Sequence, residues 1–295
     1  MCTTCGCSDA ARPTITNLET GARVFVDEHA HGHRHAHDHG HAHDHSHEHG
    51  HHHHEHPHAH DHEHRATVEL GRSVLAKNDL LAARNRGWFE GRGILALNLV
   101  SSPGAGKTTL LVRTLGDLAG ELEISVVEGD QETANDALRI RETGCPVIQV
   151  NTGTGCHLEA DMLARGLGEL RPSSGSVVMI ENVGNLVCPA LFDLGEHAKV
   201  AILSVTEGED KPLKYPHMFR AAGLMIINKT DLLPYVEFDV DRCIANAREV
   251  NPGIDVLTLS ATSGDGLDAW YDWIERKRNS GAPGEPSVER GSAGA

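Results

Sequence analysis

Two kinds of metal-binding group are concentrated near the start of this chain. The first is imidazole: 20 of the 23 histidines lie between His29 and His64, alternating with Ala, Gly, Asp, Glu or Ser. Imidazole binds Ni²⁺, Cu²⁺, Zn²⁺ and Co²⁺ well, so the run reads as a reservoir of many weak sites rather than a foldable core. Its Asp and Glu residues offset charge on metal-loaded or protonated imidazoles. The second group is thiol. Cys2, Cys5 and Cys7 fall within six residues, and a free α-amino group supplies a fourth donor. Such a set binds a soft or borderline metal tightly and releases protons on binding. A redox pair at Cys2 and Cys5 is the competing reading, but the segment lacks the β-α-β setting of such pairs.

A different chemistry lies further along. Ser101-Ser-Pro-Gly-Ala-Gly-Lys-Thr-Thr109 follows an apolar run and precedes a helical stretch over 110–118, the setting that a phosphate-binding loop requires. Gly104 and Gly106, with Ala105 between them, let backbone N–H groups turn toward phosphate. The helix N-terminus adds partial positive charge, and Lys107 reaches the β and γ oxygens. Thr108 is the hydroxyl ligand for Mg²⁺, with Thr109 beside it. The first glycine of the usual pattern is replaced here by Ser101. Asn228-Lys-Thr-Asp231 follows another apolar run and resembles the guanine-specificity motif of GTPases. There Asp231 accepts from the N1 and N2 donors of guanine and Lys229 packs along the ring, which favours GTP over ATP. Ser260-Ala-Thr262 matches the loop that backs up base recognition.

Phosphoryl transfer needs a hard cation held by oxygen ligands and an oriented water. Acidic residues ending apolar runs are the candidates: Glu128, Asp130 and Asp136 around Val127-Glu-Gly-Asp-Gln-Glu-Thr133, and Glu181 further on. Of these, Asp130, Asp136 and Glu181 are favoured, together with Lys107, as catalytic residues. Cys156-His157 precedes a helical stretch over 158–170, and Cys188 lies seven residues beyond Glu181. Two thiolates and an imidazole suit Zn²⁺ or Ni²⁺ and leave a fourth place open. The stretch Glu181-Asn-Val-Gly-Asn-Leu-Val-Cys188 thus ties a phosphate sensor to a metal ligand. Cys145 and Cys243 read as small buried hydrophobes, and His197 and His217 as structural or surface histidines.

The elements that must position these groups follow from periodicity. Apolar runs at 94–100, 124–127, 146–150, 176–180, 199–205, 224–227 and 256–259 alternate with helix-like stretches. Alternation of this kind specifies β-α-β units and an α/β, three-layer P-loop NTPase fold with a mostly parallel sheet. An amphipathic helix is expected over 67–89 from Val68, Leu70, Val74, Leu75, Leu80 and Leu81. Residues 1–9 form the cysteine motif and 10–66 a disordered His-rich metal-binding tract, together a disordered Cys/His-rich N-terminal extension. The GTPase domain spans 67–278, and 279–295 is a disordered tail. A net charge of −16 argues against a nucleic-acid role. The apolar runs are too short to span a membrane, and seven cysteines without a signal-peptide pattern point to the cytoplasm.

With P-loop, NKxD segment, Cys156-His157, Glu181 to Pro189 and Cys2-Thr-Thr-Cys-Gly-Cys7 all placed, the chain resembles the HypB family of hydrogenase nickel-incorporation GTPases, in the SIMIBI branch of P-loop NTPases. The resemblance covers 67–278 and the first seven residues. It implies a GTP-dependent homodimer, low intrinsic GTP hydrolysis and nickel delivery to the large subunit of [NiFe] hydrogenase, with a HypA-type nickel chaperone as partner. It also places nickel or zinc ligands on Cys156, His157 and Cys188, high-affinity nickel ligands on Cys2, Cys5 and Cys7, and dimer contacts on Leu232 and Val236. Urease accessory GTPases share the nucleotide motifs, but their Cys-Pro-His metal motif is not supplied by Cys145-Pro146-Val147. A third reading is a nickel or zinc store with a vestigial GTPase, against which the complete nucleotide motifs argue.

Overall fold

All seven apolar runs become strands of a single nine-stranded sheet in the computed structural model, which describes residues 13–25, 60–131 and 135–280. The chain opens with strands β1 (Thr14–Asn17) and β2 (Arg23–Phe25), then helix α1 (His60–Glu90), β3 (Leu95–Ser101) and α2 (Lys107–Asp117). Next come β4 (Ile124–Asp130), α3 (Asn135–Arg141), β5 (Val147–Asn151), α4 (Ala160–Leu170), β6 (Val177–Glu181) and the short α5 (Cys188–Leu191). β7 (Ala198–Ser204), α6 (Lys211–Lys214), α7 (Pro216–Ala221) and β8 (Ala222–Asn228) follow. A 3-10 turn at Thr230–Tyr235, α8 (Val240–Val250), β9 (Asp255–Thr258) and α9 (Leu267–Ser280) complete the described chain.

Strand order across the sheet is β2-β1-β5-β4-β6-β3-β7-β8-β9. The seven strands from β5 to β9 pair in parallel, while β1 pairs antiparallel with both β2 and β5. Strands buried on both faces read as continuous apolar runs, as β3 does with every residue buried. One face packs on α2, α3 and α9 through Leu110, Leu111, Ile140, Trp270 and Trp273. The other packs on α1 and α4 through Phe89, Leu163 and Leu167, and on α7 and α8 through Phe219, Cys243 and Ala247. This is the three-layer fold expected. None of the helices among the described residues is long and apolar enough to cross a membrane.

The sequence reading starts the folded part at Thr67, and here the structure differs. β1 and β2 already belong to the sheet, and Ile15 is only 2% exposed, packed with Val150 and Leu158. α1 begins at His60, inside the histidine tract. The physical reason is that β1 has to bury one large apolar side chain only, because its backbone is satisfied by partners on both sides. The cysteines at 2, 5 and 7, the histidines from His29 to His58 and the tail from 281 lie outside the described residues.

Candidate nucleotide and metal site

The phosphate loop leaves β3 at Ser101 and enters α2 at Lys107. Gly106 caps α2 with φ 92°, in the left-handed region that a side chain disfavours. A Cβ there would sit 2.5 Å from Asn228 Nδ2. Glycine is therefore needed twice over, for conformation and for space. Asn228 Nδ2 donates to the carbonyl of Ala105 at 3.0 Å, and Lys229 Nζ donates to that of Gly104 at 2.7 Å. Asn228 Oδ1 accepts from the N–H of Ala261 at 3.1 Å, and Ser260 Oγ donates to Asp231 Oδ1 at 2.5 Å. The three base and phosphate motifs, distant in sequence, are thus knitted together, with the carboxylate of the exposed Asp231 held in place by Ser260.

At the other end of the phosphate loop, Glu181 closes β6 and is 1% exposed. Its Oε1 accepts from Lys107 Nζ at 2.5 Å and from Thr108 Oγ1 at 2.6 Å, while Oε2 is buried without a partner. Glu128 is the register neighbour of Glu181 across β4 and β6, 2% exposed, and its own Oε2 also lacks a partner. Burial, then the like charges of Glu181 and Asp130, push the Glu128 carboxyl up to about 9. Glu128 was set aside in favour of its neighbours in the sequence reading, yet it stands beside Glu181. The signal was in the sequence all the same, since residues two apart on a strand share a face: Glu128 and Asp130 alternate about Gly129. Asp130 ends β4, and Asp136 lies in the first turn of α3, half-exposed and 3.3 Å from Arg139 Nη1. Arg139 Nη2 also lies 3.4 Å from Thr109 Oγ1. Orphaned buried carboxylate oxygens beside the Thr108 hydroxyl are a donor set that fits a hard divalent cation such as Mg²⁺.

Three of the expected metal ligands converge as well. Cys156, His157 and Cys188 bring their donor atoms within 4.8 Å of one another, and they are the only such His/Cys cluster found among the described residues. The two Sγ atoms are 2.7 Å apart with neither in a disulfide, and Cys156 Sγ also lies 3.6 Å from His157 Nδ1. His157 is 7% exposed, with its ring centroid 3.9 Å from that of Phe192 and its Nε2 buried without a partner. Burial lowers the imidazole to about 4. It is therefore neutral at physiological pH, the form that ligates a metal.

Phosphate and metal loops share one connection. Glu181 faces Lys107, whereas its neighbour Asn182 turns to the other side and accepts from the N–H of Leu158 at 3.2 Å, next to His157. Asn182 Nδ2 donates to Asn98 Oδ1, and Asn98 donates to Glu196, whose carboxylate pairs with Lys199 at 2.9 Å. Asn185 Nδ2 lies 3.4 Å from the carbonyl of Cys156. A Cβ on Gly184 would press on Pro103 of the phosphate loop at 3.2 Å. Among the other sequence candidates, His197 Nδ1 accepts from the N–H of Ala96, and His217 is exposed. Cys145 donates to the carbonyl of Ile124, and Cys243 is buried. Leu232 and Val236 pack partly on the chain's own core, leaving Tyr235, 82% exposed, as the outward apolar group of that segment.

Fold and site define a P-loop nucleotide-binding protein with a Cys-His-Cys cluster, its donor atoms close enough to hold a metal ion, joined to its phosphate loop. Residues 95–258 match the family described as CobW/HypB/UreG, nucleotide-binding domain. A hydrogenase maturation factor HypB of Escherichia coli K12 is 61% identical over 214 residues, covering 72% of this chain and 74% of that protein. Among solved structures, HypB from Archaeoglobus fulgidus superposes with a TM-score of 0.65 at 37% identity, covering 69% of this chain and 100% of that one. HypB from Helicobacter pylori in complex with nickel does so with 0.65 at 36% identity, covering 72% and 99%. The chain belongs to the HypB family.

Proposed function

We propose that this chain is a GTP-hydrolysing nickel metallochaperone that stores nickel and delivers it for [NiFe] hydrogenase maturation. The observation carrying the proposal is the Glu181–Cys188 loop. Its first residue holds Lys107 and Thr108, its second bonds the backbone beside His157, and its last is a thiol of the metal cluster. With GTP bound, Lys107 leaves Glu181 for the β and γ oxygens, and the freed carboxylate turns to the cation side of the site. Thr108 and the carboxylates would hold Mg²⁺, which would supply positive charge against the negative charge developing on the phosphates. Glu181, Asp130 and Asp136 are the candidates for orienting water. Asp231 and Lys229 select guanine. A shift of Glu181 moves Asn182 and Cys188, so nucleotide state sets the spacing of the metal ligands.

Nickel is the cargo, held by Cys156, His157 and Cys188, and Zn²⁺ competes for the same soft and borderline donors. Relatives that are hydrogenase maturation factors, one of them solved in complex with nickel, support nickel as the cargo and hydrogenase as its destination. Homodimerisation on GTP binding, transfer through a HypA-type chaperone to the hydrogenase large subunit, and a cytoplasmic setting complete the proposal. It is tested by phosphate release from GTP, with and without one equivalent of Ni²⁺, in the full chain and its Cys156→Ala and Cys188→Ala variants. Metal should change turnover in the parent by several-fold and in neither variant. Equal turnover under all conditions would contradict a coupled switch.

A further inference from the structure

Helix α1 presents two amides to the domain along with its apolar side chains. Asn78 and Asn85 are seven residues apart, so they share a helix face with Ala82 and Phe89. All four are buried, each asparagine 4% exposed. A buried amide costs free energy unless its polar atoms are paired, so packing alone would be served better by an aliphatic side chain. The amides bind backbone instead. Asn78 Oδ1 accepts from the N–H of Ala160 at 2.9 Å, and its Nδ2 donates to the carbonyl of Asp193 at 2.7 Å. Asn85 Nδ2 donates to the carbonyl of the same Ala160 at 2.8 Å and to that of Leu194 at 3.0 Å. Both side chains therefore bridge the same two segments. Arg86 adds two hydrogen bonds to the Asp193 carboxylate at 2.9 and 2.7 Å, and Gly195 lies so close that a Cβ there would collide with the carbonyl of Ala82.

These two segments are the downstream ends of the metal loops. Ala160 opens α4 three residues after His157, and its N–H is one of the donors that a helix start leaves unpaired. Asp193 directly follows Phe192, the ring against which His157 packs, and lies five residues after Cys188. On the sheet side the same loops are joined once already, through Leu158, Asn182, Asn98 and Glu196, whose Oε2 accepts from the N–H of Leu194 at 2.7 Å. One tie lets a loop pivot against its neighbour. A second tie across α1, at a different point of each loop, fixes the angle between them and with it the spacing of Cys156 and His157 from Cys188.

We propose that Asn78 and Asn85 are positioning residues for the Cys156, His157 and Cys188 cluster, making α1 a brace that holds the three donors together before nickel arrives. This rests on the reading of that cluster as a nickel site. Groups that orient ligands without touching the metal raise affinity on the order of ten- to a hundredfold. The ion then has less chain to order on binding. The bonds of both asparagines end on the metal loops rather than on the phosphate loop, so the brace acts on nickel and leaves GTP binding by itself alone.

The test uses the full-length chain with Cys2, Cys5 and Cys7 replaced by Ser, titrated with Ni²⁺ and followed by thiolate-to-nickel charge-transfer absorption. Imidazoles of the histidine tract do not produce that band. Asn78→Ala and Asn85→Ala should each weaken nickel binding about tenfold and shift the band, with GTP affinity measured without nickel unchanged. Asn251→Ala controls for general softening, since its amide holds the carbonyls of Phe219 and Ala222 at 3.1 and 3.0 Å on α7 and β8. It should change neither band nor affinity. Nickel binding indifferent to both α1 variants overturns the proposal, as does an equal loss in Asn251→Ala. If an α1 variant fails to fold, Arg86→Gln loosens the same seam from its half-exposed edge. It should weaken nickel several-fold, and unchanged binding there overturns the proposal too. The site reading is scored apart: a parent band that is absent, or that survives Cys156→Ala and Cys188→Ala, contradicts the cluster as a nickel site and the brace with it. A band lost in those two variants but untouched in the asparagine variants contradicts the brace alone.

Discussion

Glu128 and Asn182 are the residues whose importance is physical rather than motif-based. Glu128 is neutral in the folded protein without nucleotide or Mg²⁺, because burial and the adjacent Glu181 raise its carboxyl to about 9. A carboxyl raised on folding binds its proton more tightly in the native state. Its contribution is fully present below the unfolded value of about 4.5 and is lost as pH rises toward 9. Urea denaturation of the apo protein from pH 5.5 to 8.5 should show stability falling with pH, and Glu128→Gln should flatten that slope. A slope unchanged in the variant would place the titration elsewhere. Asn182→Ala strips a partner from the buried N–H of Leu158 and from Asn98, at a cost of about 1–3 kcal/mol. Thermal unfolding should report that loss. Affinity for GTP alone should stay within threefold, because the side chain points away from the phosphate loop, while the effect of nickel on that affinity should shrink.

Element by element, what was legible in the sequence is what repeats. Long apolar runs such as 94–100 cannot satisfy burial on two faces except as interior parallel strands, and each one became a strand. Their edges shifted by up to three residues, the most at the end of β4, because ladder pairing, not hydropathy, sets where a strand stops. The order β5-β4-β6-β3-β7-β8-β9 could not be read, since it is decided by which crossovers pack rather than by any local pattern. β1 and β2 escaped notice for another reason: four and three residues with one buried aliphatic carry little periodicity beside a 36-residue histidine alternation. Thr14-Ile-Thr-Asn17 and Arg23-Val-Phe25 around Gly21 do form a weak hairpin signal. Ile15→Ala should destabilise the protein by about 2 kcal/mol, in the range for deleting a buried aliphatic. Guanidinium unfolding is the check, and no loss would mean that the hairpin is not docked.

At the scale of the whole molecule, the GTP motifs, the Cys-His-Cys cluster and the eight-residue stretch linking them were visible in sequence, but the contacts that make the joint were not. Asn182 and Gly184, two unremarkable residues between Glu181 and Cys188, make the joint, and only the fold shows that one faces the metal loop and the other the phosphate loop. If nucleotide and metal bias the same loop, linkage requires the coupling to be equal from both directions. The decisive measurement is calorimetric, on the chain with Cys2, Cys5 and Cys7 replaced by Ser: nickel affinity at the Cys156 cluster with and without a non-hydrolysable GTP analogue, and analogue affinity with and without nickel. The account predicts the same factor in both directions, about five- to a hundredfold, abolished in Cys188→Ala. Affinities that are independent of the other ligand would contradict it.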